Sequence, residues 1–284
     1  MKLSKIFALL LALCLISSAA CAATFTDAHG NVIELDDSLE AYAAVTLVGA
    51  DNAARQGETN LGDLWADALR WFAVSGEINA AFDEDDVKAG NDRIAVDADH
   101  VVALWNGGNL RADIAEGTFG AEALAEVLPF PNKVAVVYMT GAQLLETLEA
   151  ASQGLPYTAE TADACASLMQ VSGLTYTVDT TKAYDALEAY GDHWFTAGSV
   201  SRVRIDDVNG QPFDAEATYA VVTSNANFNG MDSSYVLKAA AEANEQSAVT
   251  TAVVRDVVFR FIAAELNHQV GKAYAAPQGR LTIL

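Results

Sequence analysis

Two continuously apolar runs stand out in the hydrophobic pattern of the chain. They are VVALW at residues 101–105 and VAVVYM at residues 134–139. Short apolar runs rich in β-branched residues are typical of strands buried on both faces. Alternating residues at 201–205 and 219–223, with the turn Asn209-Gly210 between them, predict two further strands of a β-rich layer.

Other segments show the spacing of amphipathic helices. Thr59 or Asn60 caps the first helix, and Thr140 with Gln143 forms a capping box for the second. Residues 251–267 predict a third, long helix. The first helix has an apolar stripe that we expect in the core, made of Leu61, Leu64, Trp65, Ala68, Leu69 and Phe72.

Residues 1–22 are interpreted as a cleavable signal peptide. Lys2 and Lys5 precede the apolar run 6–16, and the small residues around Cys21 provide a cleavage site before Ala23. The run is too short to span a bilayer comfortably. We therefore expect an exported protein, periplasmic or extracellular, with no transmembrane segment in its mature form. The alternative is a lipid anchor on Cys21, but the branched aliphatic residue usual three positions earlier is missing.

Residues 24–35 predict a β-hairpin, so residues 23–44 are expected to be an N-terminal extension of a domain spanning 45–284. The hairpin contains Asp-x-His-Gly at residues 27–30, similar to a metal-binding motif of metallophosphoesterases. A two-metal site needs further ligands. Because His100, His193 and His268 lie in no such motif, we expect no metal ligands and no cofactor in this chain.

The charge and the cysteines narrow the possible partners. The chain has 38 acidic and 16 basic residues, a net charge of −22, and loss of Lys2 and Lys5 would make it more negative still. Such a charge repels nucleic acid and anionic membranes. Cys165 would be the only cysteine left after signal cleavage, so an internal disulfide is excluded and we expect a buried thiol.

The candidate chemistry lies after the first apolar run, where residues 106–111 read NGGNLR and residues 128–132 read LPFPN. Adjacent glycines permit positive φ and a close approach of the backbone to a ligand. Arg111 can then bind an anion with paired donors, and Phe130 offers a flat apolar face. A phosphate site beside an aromatic ring suits a nucleotide. Alternatively, the glycines only turn the chain and Arg111 is a surface charge.

These two segments resemble conserved blocks of the 5'-nucleotidase family, in its C-terminal substrate-recognition domain. Residues 55–68 are similar to its R-x-x-E-[TS]-N-[LM]-G-[ND]-L-x-x-D-A block, residues 170–176 to QVSGL-x-[YF], and residues 225–232 to N-[FD]-[FL]-x-x-G-G-D. The resemblance runs from about residue 45 to 284. It implies a layered α/β fold (mixed α+β) with β-sheets covered by helices.

The resemblance also implies roles for single residues. Arg55, Asn106 and Arg111 would hold phosphate, with the backbone at Gly108 close to the ligand. Phe130 would stack on the base, Asn132 and Gly173 would contact its edge, and Asp232 would hold the ribose. Two residues depart from the family pattern: Ala226 replaces the second stacking aromatic and Met231 replaces a glycine. Phe228 is the candidate to replace the missing ring. Arg280 is expected to be structural.

In this family a separate metallophosphoesterase domain binds two divalent metals and performs the hydrolysis. The sequence contains no such domain, so we expect no catalytic residue in it. Three functions remain open. The chain is an exported, stand-alone nucleotide or nucleoside recognition domain linked to nucleotide catabolism, a non-catalytic subunit completed by a separate metal-binding chain, or a structural or interaction domain with a decayed pocket.

Overall fold

The computed structural model describes residues 24–26, 32–34 and 40–284. The signal peptide, Cys21 and the motif at residues 27–30 lie outside these residues. The helices are α1 (Ala53–Gln56), α2 (Asn60–Val74), α3 (Glu84–Ala89), α4 (Ala121–Val127), α5 (Gly141–Ala151), α6 (Asn225–Phe228), α7 (Tyr235–Ala243) and α8 (Val254–Ala264). The strands are β1 (Thr24–Thr26), β2 (Val32–Glu34), β3 (Glu40–Ala43), β4 (Val101–Asn106), β5 (Gly117–Gly120), β6 (Lys133–Thr140), β7 (Met169–Ser172), β8 (Leu174–Val178), β9 (Ala186–Tyr190), β10 (Trp194–Ala197), β11 (Val203–Val208), β12 (Thr218–Ser224), β13 (Ala248–Val253), β14 (Gln269–Val270) and β15 (Leu281–Ile283).

A five-stranded sheet in the order β13-β6-β12-β4-β7 forms the centre of the molecule. Strand β12 runs parallel to β4 and antiparallel to β6, so that Val221 pairs with Val102 on one side and Val137 on the other. The two apolar runs of the sequence are β4 and β6. The prediction of two buried strands is therefore confirmed.

Successive residues of the central strands face two different cores. Ala103 and Trp105 of β4 join one cluster with residues of α2 and α8, whereas Leu104 joins the other with residues of α5 and α7. This alternation follows from the two-residue repeat of a strand. Both faces are covered, which explains why β4 is apolar from Val101 to Trp105. Trp65 of α2 packs on Trp105, with ring centroids 6.2 Å apart.

The helix starts agree with the capping signals in the sequence. The Thr59 side chain accepts a hydrogen bond from the Gly62 amide at the start of α2. Thr140 and Gln143 form the predicted capping box of α5. The third helix is shorter than predicted, because residues 251–253 belong to β13, in which Val253 pairs with Lys133 of β6. Strand pairing overrides the helical pattern there.

Two three-stranded sheets, β11-β8-β15 and β14-β3-β5, flank the central sheet. Strands β11 and β12, which the sequence placed in one β-rich layer, are in different sheets. Strand β3 pairs with both β5 and β14, so residues 40–43 are part of the domain and not of an extension. Only β1 and β2, which pair antiparallel as a hairpin, precede it in the described residues.

No helix in the described part of the chain is both long enough and apolar enough to cross a membrane.

Candidate functional site

The Gly-Gly segment after β4 forms a tight helical turn, residues Gly107–Asn109, packed against the protein itself. A Cβ on Gly107 would lie 1.9 Å from the Ala54 carbonyl oxygen, and one on Gly108 would lie 2.7 Å from the Ala166 Cβ. Neither glycine has positive φ. The conformational freedom of glycine is therefore not used at these two positions. These glycines are required because the turn fits closely against α1 and the segment around Ala166.

Asn106 links the end of β4 to the turn that follows α6. Its side-chain amide donates to Asp232 Oδ2 over 2.9 Å, and its Oδ1 accepts a hydrogen bond from the Asn109 side chain over 2.8 Å. Asn106 is 1% exposed. Because both ends of its amide are occupied, Asn106 positions Asp232, and we do not retain it as a phosphate ligand.

Five of the predicted residues line one pocket of about 310 Å³. The complete lining is Gly108, Asn109, Arg111, Phe130, Pro131, Asn132, Ala166, Ala226, Met231 and Asp232. The volume is at the lower end of the range for small-molecule sites. Larger cavities of about 560 and 610 Å³ occur elsewhere. Size therefore does not single out this pocket. The cavity of about 610 Å³ is also lined by a cation, a carboxylate and a ring, among them Arg260, Asp256 and Phe259. This pocket differs because residues from separate sequence motifs meet in it and because its ring, Phe130, is 45% exposed.

The Arg111 guanidinium makes no hydrogen bond or ion pair within the described residues, while its backbone amide is fixed to the Val127 carbonyl. Partial burial and the neighbouring Arg55 lower the pKa of Arg111, and Asp232 opposes this shift. An arginine stays protonated in a protein even so. Arg111 therefore carries a permanent positive charge, and none of its guanidinium N–H groups is bonded to another part of the described chain, so they can bind an anion.

Arg55 lies on α1 and does not line the pocket. It is 9% exposed, and its Nη1 donates to the Ala162 carbonyl over 2.9 Å and lies 3.7 Å from Asp163 Oδ1. Its charge acts on both Arg111 and Asp232. Arg55 thus contributes to the potential of the pocket, although Asp163 already neutralises part of it.

Asp232 occupies the left-handed region, with φ of 56°, in the turn after α6. Burial raises the pKa of its carboxyl, while Arg55, the Asn106 amide and Arg111 oppose that shift. The carboxylate is half-buried and accepts one hydrogen bond, from Asn106, so its oxygens can accept further hydrogen bonds. Asp232 can therefore accept hydrogen bonds from ligand hydroxyls beside the Arg111 cation.

Gly173 and Phe228 do not reach the pocket. Strand pairing places Ser172 beside Ala103, so Gly173 lies beyond it near Val101, and a Cβ there would be 2.9 Å from the Val101 carbonyl oxygen. Asn106, at the pocket end of β4, is four residues along the strand from the position beside Gly173, which is roughly 13 Å. Gly173 bends the chain between two sheets, with φ of 81°. Phe228 packs against the second hydrophobic core. We therefore remove both residues from the candidate site.

Five lining residues were not predicted as site residues. Ala226 and Met231 were noted only as departures from the family pattern. Asn109 and Pro131 lie within the predicted motifs but had no role assigned to them. Ala166 lies in the segment 154–167, which contains none of the motifs described above. Its place beside Gly108 results from contact between segments distant in sequence, for which no local pattern exists. The structured helical turn Ala164–Ser167 there was also not predicted.

Within the described residues, no group of three or more His, Cys, Asp or Glu side chains is placed to hold a metal ion. The side chains around the pocket do not fit the two divalent metals of the hydrolytic domain, since Asp232 is the one carboxylate among its lining residues.

The domain matches a known protein family over most of its length. A family model described as "5'-nucleotidase, C-terminal domain" matches residues 40–239. The chain belongs to the 5'-nucleotidase C-terminal domain family. The match begins at β3, in agreement with the pairing of that strand inside the domain. The expected family and the layered α/β fold are thereby confirmed.

Relatives of this 5'-nucleotidase C-terminal domain are longer proteins. The trifunctional nucleotide phosphoesterase YfkN of Bacillus subtilis is 28% identical over 188 residues, which is 65% of this chain but 10% of YfkN. A 5'-nucleotidase precursor from Thermus thermophilus has a similar structure, with 29% identity and a TM-score of 0.61, over 87% of this chain and 39% of that one. The NAD nucleotidase of Haemophilus influenzae shares the fold, with 14% identity and a TM-score of 0.57, over 92% of this chain and 48% of that one.

Proposed function

We propose that this chain recognises a nucleotide or nucleoside in the pocket formed by Arg111, Phe130 and Asp232. Arg111 holds the phosphate, with Arg55 strengthening the positive potential behind it. Phe130 stacks on the base. Asn132 contacts the base edge, Asp232 accepts hydrogen bonds from the ribose hydroxyls, and the backbone at Gly108 approaches the ligand.

One observation supports this proposal most. An arginine without a side-chain partner in the described residues, a carboxylate and an exposed ring line the same pocket, although they come from three separate segments. Phe130 is 45% exposed. An exposed aromatic ring beside converging polar groups is typical of a binding site. Family membership supports a ligand related to nucleotides.

Calorimetric titration at low salt tests the proposal. We expect AMP and UMP to bind, and their nucleosides to bind more weakly because they lack the phosphate that Arg111 holds. Arg111→Ala should remove that difference between nucleotide and nucleoside. If no nucleotide or nucleoside produces heat at millimolar concentration, the proposed function is wrong.

Arg204→Ala is the matched control for Arg111→Ala. Arg204 lies on β11, its side chain is 75% exposed, and it pairs with Asp206, so its removal changes the net charge equally without touching the pocket. Nucleotide affinity should fall in Arg111→Ala and stay unchanged in Arg204→Ala. An equal fall in both variants would show that net charge, and not the pocket, determines binding.

We further propose that the protein acts outside the cytoplasm as a stand-alone binding domain in nucleotide catabolism. The N-terminal pattern of the sequence supports export. Cell fractionation with N-terminal sequencing tests it: a mature chain that starts at Ala23 supports signal cleavage, and a lipid-modified chain that starts at Cys21 supports the anchored alternative. A full-length cytoplasmic chain contradicts both.

A second candidate function is that of a non-catalytic subunit. The chain spans 39% and 48% of the solved relatives described above, so those proteins contain much additional chain. A metallophosphoesterase in another chain would supply the metals and the hydrolysis. In that case the purified protein has no divalent-dependent phosphatase activity alone and increases the activity of that partner on mixing.

A third candidate is a structural or interaction domain with a decayed pocket. The replacement of an expected ring by Ala226 favours it. Thermal unfolding separates it from the first: a ligand at one hundred times its dissociation constant stabilises the folded state by about 2.7 kcal/mol, and a decayed pocket gives no shift.

A further inference from the structure

Met231 is an exposed apolar side chain in the wall of the pocket. It is 54% exposed, whereas Met139 and Met169, the other methionines of the described residues, are 2% and 1% exposed. Single exposed apolar side chains are common on protein surfaces. Met231 differs because it lines the same 310 Å³ pocket as the exposed ring of Phe130.

The backbone holds Met231 in this position from both sides. Its amide donates to the Ala226 carbonyl over 3.0 Å, and its carbonyl accepts from the Ser234 amide over 3.1 Å. The preceding residue, Gly230, accepts a hydrogen bond from the Tyr190 hydroxyl over 2.7 Å. The turn therefore fixes the backbone of Met231 beside Ala226, and both residues line the pocket.

We infer that Met231 supplies the second apolar contact for the base, in addition to the ring of Phe130. The inference rests on the proposed nucleotide-binding function. A thioether is polarisable and makes favourable contacts with aromatic rings, and its flexible chain adapts to rings of different size. Phe228 cannot fill this role, because it packs against the second hydrophobic core.

Separate measurement of base and phosphate binding tests the inference. We compare AMP with ribose 5-phosphate, which lacks the base, in Met231→Ala and Met231→Leu. Met231→Ala should weaken AMP binding about three- to tenfold, the range expected for loss of a sulfur–aromatic contact and its apolar area. Ribose 5-phosphate should bind as in the wild type. Met231→Leu keeps most of the apolar contact and should retain most of the AMP affinity.

Val87→Ala is the control, since Val87 is 50% exposed on α3 and does not line the pocket. AMP affinity should be unchanged in it. The inference is wrong if Met231→Ala binds AMP as the wild type does, or loses AMP and ribose 5-phosphate by the same factor, which would indicate a distorted turn. Failure of the wild type to bind any nucleotide or nucleoside would instead overturn the proposed function itself.

Oxidation gives a readout that needs no substitution. Hydrogen peroxide converts methionine to the sulfoxide at a rate that follows exposure of the sulfur. Mass spectrometry of the wild type should show Met231 oxidised before the buried Met139 and Met169. AMP should slow oxidation of Met231, and ribose 5-phosphate should slow it less. Equal rates with and without AMP, under conditions where AMP binds, contradict the contact.

Discussion

The side chain of Asn106 donates a hydrogen bond to Asp232 Oδ2 over 2.9 Å and so joins the end of β4 to the turn after α6. The two residues are separated by 126 positions in the sequence. This bond lowers the pKa of Asp232 against the larger effect of burial. The hydrogen bond from Asn106 therefore favours the ionised form of the carboxyl and limits the rise in its pKa that burial causes.

We predict that nucleoside binding weakens as pH falls through the raised pKa of Asp232. The ionised carboxylate accepts ribose hydroxyls, so affinity is full above that pKa and is lost below it. Asn106→Ala removes a bond to the ionised form and should move the midpoint to higher pH. Asp232→Asn should abolish the transition. Titration of adenosine from pH 4 to 8 measures this, and an identical midpoint in Asn106→Ala would contradict it.

Phe130→Ala should weaken AMP binding by roughly 1–3 kcal/mol, the amount associated with one base–aromatic stack. Inorganic phosphate should bind unchanged, because Arg111 remains. Phe195→Ala is the control: Phe195 is 44% exposed on β10 and does not line the pocket. Calorimetry of the two variants tests the prediction, which fails if they lose equal AMP affinity.

Asp163→Asn should strengthen phosphate binding. Asp163 lies 3.7 Å from Arg55 and competes with a bound anion for its charge. The Asp163 side chain is 73% exposed, so screening keeps the gain below about 1 kcal/mol. Asp85→Asn is the control, because Asp85 lies on α3 with a side chain that is 94% exposed, and this substitution removes the same charge. Equal gains in the two variants would assign the effect to net charge.

Asp63 in α2 should make the protein less stable as pH rises. Burial raises the pKa of its carboxyl from 3.8 to about 8; Arg280 opposes this, and Glu58 adds to it. Between these two values the folded state holds a proton that the unfolded state releases, so the free energy of unfolding falls with pH across that window. The contribution is fully present below pH 3.8 and lost above pH 8.

Urea unfolding at several pH values tests this prediction. Asp63→Asn should flatten the dependence between about pH 5 and 8. Glu242→Gln, which removes an exposed acid of α7, should leave the wild-type slope. Unchanged slopes in both variants would show that Asp63 is already ionised in the folded protein at neutral pH.

Gly107→Ala should destabilise the fold by about 1–3 kcal/mol, the usual cost of forcing a methyl group into a packed site. The added Cβ would lie 1.9 Å from the Ala54 carbonyl oxygen, so the turn or α1 must move. Gly271→Ala is the control, because a Cβ there meets nothing within 4 Å and its φ is −100°. A normal melting temperature in Gly107→Ala would contradict the close fit.

The side chain of Arg280 has a structural role, as expected from the sequence. Its guanidinium pairs with Asp67, with Nη1 2.8 Å from Oδ1 and Nη2 2.8 Å from Oδ2. It also donates to the Val171 carbonyl over 2.8 Å. These bonds join the C-terminal segment to α2 and β7. All the contacts of this side chain are internal, which leaves it no role at the pocket.

The sequence by itself determined the buried strands, the capped helices and the family. Those features depend on local periodicity, on capping side chains and on motifs of neighbouring residues, which can be read without coordinates. The sequence also predicted that Arg111, Phe130 and Asp232 belong to one candidate site, and all three line the same pocket. It could do so because each lies in a motif that resembles a block of the 5'-nucleotidase family.

Only the tertiary structure decided which motif residues meet. In the structure, Gly173 and Phe228 lie outside the pocket. Asn106 holds Asp232 through a hydrogen bond. Met231 and Ala226 both line the pocket. In the structure, β11 and β12 belong to different sheets, and residues 251–253 belong to β13 and not to the following helix. The physical reason is the same in each case: strand register and packing between distant segments fix where a side chain points, and neither is encoded in a local pattern.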